Sequence, residues 1–215
     1  MKARIKQLLI LGLSFFFFSF VLFFITVPKF LLLDRLLLKN NLYLLADGVE
    51  EKIFSVQLKK VQVYGKNSKL GEFIELKLAL RPFYLLLSGK CAEGSFQIRI
   101  FPSKSFDAEG KNLDCLKQAH IKSMNLQVGD GIRGSLELKT LKVKDFSVDE
   151  LSLNFKGNVF SGQAKMANLV FLGDGIVSFN RENPLKSSIN GKLVGTGMTL
   201  LISGSLENPS VEFVR

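Results

Sequence analysis

From about residue 53 onward the chain alternates. "FIELKLALRP" sets Ile74, Leu76, Leu78 and Leu80 against Glu75, Lys77, Ala79 and Arg81, and "GSFQIRIF" sets Phe96, Ile98 and Ile100 against Gln97 and Arg99. A period of two is the signature of a strand with one face buried. The same pattern recurs in "IKSMNLQV", "GSLELKTLKV", "DFSVDELSLNFKG", "GQAKMANLVFLG", "SSINGKLVG" and "TLLISGSL". "VQLKKVQVYG" alternates on either side of Lys59-Lys60, which predicts a bulge there. "FYLLLSGK" reads as a short, wholly apolar strand. Many short strands separated by Gly, Asn and Asp predict a mainly β, antiparallel architecture. Strand after strand offers Leu, Ile, Val or Phe to one side, and no second run of helices comes after them to cover it. That face is expected to be hidden in a β-sandwich, or to line the inside of a long, curved sheet as an apolar groove.

One stretch tests this reading. "GDGIRG", Gly129 to Gly134, has the spacing Gly-x-Gly-x-x-Gly of a dinucleotide-binding turn. That motif needs a helix after the third glycine, whose N-terminal NH groups hold the pyrophosphate. Gly134 is instead succeeded by "SLELKTLKV", with Leu136 and Leu138 alternating against Ser135, Glu137 and Lys139. The stretch is therefore expected to be a hairpin turn between two strands. The same signal recurs at Gly173 to Ile176, in "VFLGDGIVSFN", where a second turn is expected.

The N-terminal pattern is different. Leu8 to Val27, "LLILGLSFFFFSFVLFFITV", carries no charge. Twenty helical residues at about 1.5 Å each span roughly 30 Å, the thickness of a bilayer's hydrocarbon core. The run is longer than a signal-peptide core and ends "ITVPKF" without a small-x-small cleavage site, so a retained anchor is expected. Lys2, Arg4 and Lys6 precede it with no acid among them, which places the N-terminus in the cytoplasm. The expected organisation is a basic tail (1–7), a single transmembrane helix (8–28), a juxtamembrane helix or linker (29–50) and an exported β domain (51–215). In the linker, "FLLLDRLLLK" suits a short helix that lies on the membrane or packs under the β domain.

Composition narrows the chemistry. The net charge is +10, with many lysines, such as Lys59, Lys77, Lys139 and Lys142, on the polar phase of strands. They read as a solvated face, and the aromatics occupy apolar positions instead of forming a basic-aromatic platform, so nucleic acid is not an expected partner. One His (His120) and two Cys exclude a Cys/His metal cluster, and neither a metal nor a cofactor is expected. Cys91 and Cys115 fall in loop-like stretches 24 residues apart; they are a disulfide candidate in an oxidising compartment, or else two inert thiols. "SVDE", Ser147 to Glu150, matches a helix capping box, but a strand pattern succeeds it. No nucleophile elbow, phosphate loop or carboxylate pair is present, so no catalytic residue is assigned and the chain is expected not to be an enzyme.

Three segments resemble the type II secretion system protein N family, itself similar to AsmA-like envelope proteins. They are "ELSLNFKGNVFSGQAKMANLVF" (150–171), "GDGIVSFNRENPLKSSING" (173–191) and "LLISGSLENPSVEF" (200–213), together with the anchor and its sequel "TVPKFLLLDRLL". The resemblance implies a bacterial inner-membrane protein with a periplasmic β domain. It implies a non-catalytic component of a protein secretion apparatus, acting through contacts with other secretion-system subunits. Through the AsmA-like relatives it also implies an alternative, a membrane-anchored lipid-binding or lipid-transfer module with an apolar β groove. The resemblance carries no catalytic residue.

Overall fold

The computed structural model describes residues 12–19, 22, 26, 29–39, 41–65, 68–143, 146–167, 169–180, 186–205 and 209–214. Helix α1 is Lys29–Lys39. The first strands are β1 Tyr43–Lys52, β2 Ser55–Tyr64, β3 Lys69–Leu80, β4 Leu85–Lys90 and β5 Ser95–Ile100. Next come β6 Phe106–Leu113, β7 Ala119–Val128, β8 Ile132–Val143, β9 Phe146–Val148 and β10 Glu150–Gly157. The last are β11 Val159–Met166, β12 Leu169–Ser178, β13 Ser188–Gly195, β14 Met198–Gly204 and β15 Pro209–Val214.

All fifteen strands belong to one antiparallel sheet, and each pairs with its neighbour in sequence, except that β9 and β10 both pair with β8. The path runs from β1 to β15 without joining them, so the sheet is open. This corrects the sandwich expectation: the apolar sides of the strands line a single sheet instead of the facing surfaces of two. β9 and β10 meet β8 through Leu141↔Val148 and Leu138↔Leu151. The stretch expected as one strand is broken at Asp149. Its N–H donates to the Lys165 carbonyl at 2.9 Å, and its Oδ2 accepts from the Ala167 N–H at 3.0 Å.

The sheet bends toward its apolar face in its C-terminal half. Phe106 opens β6 and Phe179 lies just beyond β12, yet their ring centroids are 6.1 Å apart. Five strand spacings separate β6 from β12, which would place them about 24 Å apart on a flat sheet. The rings meet over a core of Val128, Ile132, Leu153, Phe160 and Val177.

A second irregularity fills a notch. β4 and β5 have 6 residues each against 12 in β3, so the first half of β3 has no β4 partner. The β6–β7 connection takes that place. Gly71 bridges to Leu116, the Glu72 N–H donates to the Cys115 carbonyl, and the Lys117 N–H donates to the Leu70 carbonyl, both at 2.9 Å. A Cβ on Gly71 would stand 2.5 Å from the Cys115 oxygen, which is why this position is glycine.

The sheet begins at Tyr43, eight residues before the boundary expected at 51, because Leu44 and Ala46 pair with Val63 and Val61. α1 therefore occupies only half of the expected linker. Its Phe30 and Leu33 pack against the cluster of Val56, Leu58, Val61 and Leu76. Asn41, at φ 57°, closes the helix by donating its N–H to the Leu38 carbonyl, an αL stop that Asn tolerates. Of the apolar run, residues 12–19, 22 and 26 are described and all are helical; the others lie outside the described residues, as do Lys2, Arg4 and Lys6. Among the described residues no helix is long and apolar enough to cross a membrane.

Candidate functional site: a two-faced sheet

Directly opposed residues in an antiparallel sheet share a face, so the register sorts the side chains without ambiguity. One rung crosses thirteen strands as Val56, Leu78, Leu87, Ile98, Ala108, Leu126, Gly134, Phe155, Phe160, Gly175, Gly191, Ile202 and Val211. The next rung on the same face is Leu58, Leu76, Gly89, Phe96, Gly110, Met124, Leu136, Leu153, Gly162, Gly173, Leu193, Leu200 and Phe213. Neither rung contains a polar side chain. The rung between them, on the opposite face, is Gln57, Lys77, Ser88, Gln97, Glu109, Asn125, Ser135, Asn154, Ser161, Asp174, Lys192, Leu201 and Glu212. Only Leu201 departs from polarity there. At about 4.8 Å per strand the apolar rungs run for roughly 58 Å.

The glycines explain how a single layer covers this face. A Cβ on Gly89 would stand 2.3 Å from Phe96 Cε1, and one on Gly175 2.5 Å from Phe160 Cε1. On Gly191 it would stand 2.5 Å from Phe160 Cζ, and on Gly195 2.7 Å from Phe171 Cδ1. Large side chains thus lie down across neighbouring strands where those strands carry no side chain. Phe160 and Phe171 are fully buried in this way, and Phe73 and Phe96 meet edge-on at 5.8 Å. Between these covered spots the face stays half-buried, at Leu78, Leu87, Ile98, Leu126, Leu136 and Phe155.

This geometry corrects one expectation. Gly173 to Ile176 is not a turn but lies inside β12. Its glycines share the phase of Phe171 and Val177, and they are there for close approach, not reversal. At Gly129 to Gly134 the expected hairpin is found. β7 and β8 flank it, the Gly129 N–H donates to the Gly131 carbonyl at 3.0 Å, and the chain continues as a strand, not a helix. At Lys59-Lys60, where a bulge is expected, the register holds no inserted residue; Lys60 instead takes a φ of 49°, which lets Leu58 and Val61 both point into the core, and the register shift between β2 and β3 falls at Val63/Tyr64.

The polar face is laced with ion pairs, each between an exposed and a half-buried residue, Lys90–Glu75 at 3.6 Å, Arg99–Glu109 at 3.2 Å and Lys122–Glu137 at 3.3 Å. Near the first edge Lys59 pairs with Glu50. The hydrogen bond from Lys59, and then its charge, hold the Glu50 carboxyl below the usual glutamate range, and the same contact raises the Lys59 ammonium. Cys91 and Cys115 are joined, with an S–S distance of 2.00 Å, and tie the β4–β5 turn to the β6–β7 connection. His120 sits half-buried in β7 opposite Thr140, with no acid or nucleophile directly across from it on that strand other than this threonine hydroxyl. A cleft of about 760 Å³ beside Cys115 is lined by Lys60, Lys69 and Lys117 together with Asp47, Glu72 and Asp114. Lys60 is bound to Asp47 and Lys69 to Glu72, so the cleft offers no concentrated charge of either sign. Among the described residues no group of three His, Cys, Asp or Glu side chains could hold a metal.

Fold and faces together define the class: an open, single-layer antiparallel β-meander with one apolar and one polar face. A protein of Aquifex aeolicus (strain VF5), described as uncharacterized, is 33% identical over 199 residues, covering 90% of each chain, and this chain belongs to its family. No family model matches the chain, and no solved structure matches it.

Proposed function

We propose that this is a non-catalytic, membrane-anchored periplasmic protein whose sheet receives the acyl chains of lipids on its apolar face. The observation that carries the reading is the pair of adjacent thirteen-strand rungs without a polar side chain, only partly covered by the protein's own residues. An apolar surface of this length in one layer is unusual in water, and acyl chains match its chemistry. The polar rung faces water and keeps the sheet soluble on its other side. Residues 8–27 hold the protein to the bacterial inner membrane, with Lys2, Arg4 and Lys6 in the cytoplasm. No cofactor takes part.

A second reading, a component of a type II secretion system acting by protein–protein contact, draws support from the outer face. There Leu172, Val194, Thr199 and Val214 form a cross-strand strip over β12 to β15, with Leu172, Val194 and Val214 exposed. This strip ends at β15, whose outer edge has no partner strand among the described residues. Such a strip and edge suit docking of another subunit.

One experiment separates the two. A photoreactive residue is placed in the full chain at Leu126 on the apolar rung, at Asn125 on the polar rung, or at Val194 on the outer strip, and irradiated in intact bacterial membranes. Lipid adducts at Leu126 and not at Asn125 support the lipid reading. Absence of lipid from Leu126 refutes it, and protein adducts at Val194 support the secretion reading.

A further inference from the structure

The sheet has two ends, and the chain's own path marks one of them. The Phe30 N–H at the start of α1 donates to Glu51 Oε1 at 3.0 Å, beside the β1–β2 turn. From there α1 runs back along β1 to Asn41, at the opposite end. The chain therefore enters α1 at the end of the sheet that carries the β1–β2 turn. The β3–β4 turn lies at this same end, because the Leu80 N–H donates to the Phe54 carbonyl at 2.7 Å.

These two turns and the end of β3 carry large apolar side chains that nothing among the described residues covers. Phe83 is 78% exposed, Phe54 59%, Ile53 52% and Leu80 49%. Turn tips are normally polar, so four such residues side by side need a partner. Exposed cations flank them: Lys52, Arg81 and, in the β5–β6 turn of the same end, Lys104. Of the nearby acids, Glu50 is engaged by Lys59, and Glu51 holds the start of α1.

We propose that this end of the sheet is a second membrane contact, in which the β1–β2 and β3–β4 turns insert Phe54 and Phe83 into the headgroup boundary of the bilayer that holds the anchor. Aromatic rings with a cationic rim are the side chains that partition into this zone and meet anionic headgroups there. The contact fixes the sheet upright, with its strands pointing away from the membrane and its apolar rungs, which cross the strands, lying parallel to the lipid surface. The inference rests on the membrane-anchor part of the proposed function, and it holds whether or not the apolar face takes up acyl chains.

The chain contains no Trp, so single tryptophans report without background. Phe83→Trp, Phe17→Trp and Thr196→Trp are made separately in the full chain. Thr196 is exposed in the β13–β14 turn at the far end. Each is reconstituted into vesicles containing anionic phospholipid, with bromine at shallow or deep acyl positions. The expected result is a blue-shifted Phe83→Trp emission quenched most by shallow bromines. Phe17→Trp should be quenched by deep bromines, and Thr196→Trp by neither. Quenching of Phe17→Trp with a water-like, unquenched Phe83→Trp overturns this proposal and leaves the anchor standing. Loss of quenching at both overturns the anchor and the proposal together.

Discussion

The covering of the apolar face by rings laid over glycines makes a sign-changing prediction at Phe160 and Gly191. Phe160 is fully buried, and its ring crosses β12 to reach β13. Replacing it by Ala removes that contact area and is expected to cost about 3–5 kcal/mol. In the native background, Gly191→Ala puts a methyl 2.5 Å from Phe160 Cζ, far inside an ordinary carbon contact. The ring must move from a packed site, at a cost of about 1–3 kcal/mol. With Phe160→Ala already present, the nearest remaining neighbour is the Asp174 carbonyl at 3.3 Å. Alanine then recovers roughly 0.5–1 kcal/mol of the entropy that glycine loses in a strand. Gly191→Ala is thus destabilising in one background and neutral or stabilising in the other, a coupling of about 2 kcal/mol. The cycle is measured by urea unfolding of the full chain in mild detergent, monitored by far-ultraviolet circular dichroism. Equal costs of Gly191→Ala in both backgrounds, within about 0.5 kcal/mol, would refute the ring-over-glycine reasoning.

Two further outcomes are expected. Joint replacement Cys91→Ser and Cys115→Ser opens a link across a sequence separation of 24 and is expected to cost about 3–4 kcal/mol, read as a lower thermal midpoint than the oxidised parent; an unchanged midpoint would show that the link adds nothing. The Glu50–Lys59 pair gives a pH dependence of defined sign. The Glu50 pKa is lowered, so its contribution is complete above the ordinary glutamate pKa and is lost as pH falls through the lowered value. The Lys59 pKa is raised, so its contribution is complete below the ordinary lysine pKa and is lost as pH rises through the raised value. Carboxyl carbon NMR should find Glu50 titrating lower than an unpaired glutamate and returning upward in Lys59→Met; no return would mean that Lys59 is not the cause.

Much of the sheet was legible because a period of two survives any tertiary context in which one face is buried. The alternation from Phe96 to Ile100 and from Ser135 to Lys139 placed β5 and β8 directly. Alternation does not say whether two apolar faces stack or one layer covers itself, because both demand the same pattern. The deciding feature was the phase of the glycines. Gly173 and Gly175 alternate in step with Phe171 and Val177, and that phase marks them as part of the apolar face and not as a turn. Ala79 shows a smaller limit: it belongs to the polar phase, yet it is buried between Ser55 and Leu86, while Leu80 on the apolar phase is exposed at the end of β3. The β6–β7 connection pairing with β3 could not be read, since it depends on β4 and β5 being short, and nothing local to Cys115 announces a partner at Gly71. The exposed Phe54 and Phe83 were visible as residues, but their adjacency emerges only from the pairing of β2 with β3.

Strand order that tracks chain order has a consequence for how such a body can come into being. Each new strand needs only its recent predecessors, so the domain can grow vectorially, hairpin by hairpin, as the polypeptide emerges, without waiting for its C-terminus. The same rule makes its length modular. A duplicated or deleted hairpin preserves the direction of every later strand and the side on which its greasy residues fall, so lineages can lengthen or shorten the structure in two-strand increments without redesigning the remainder.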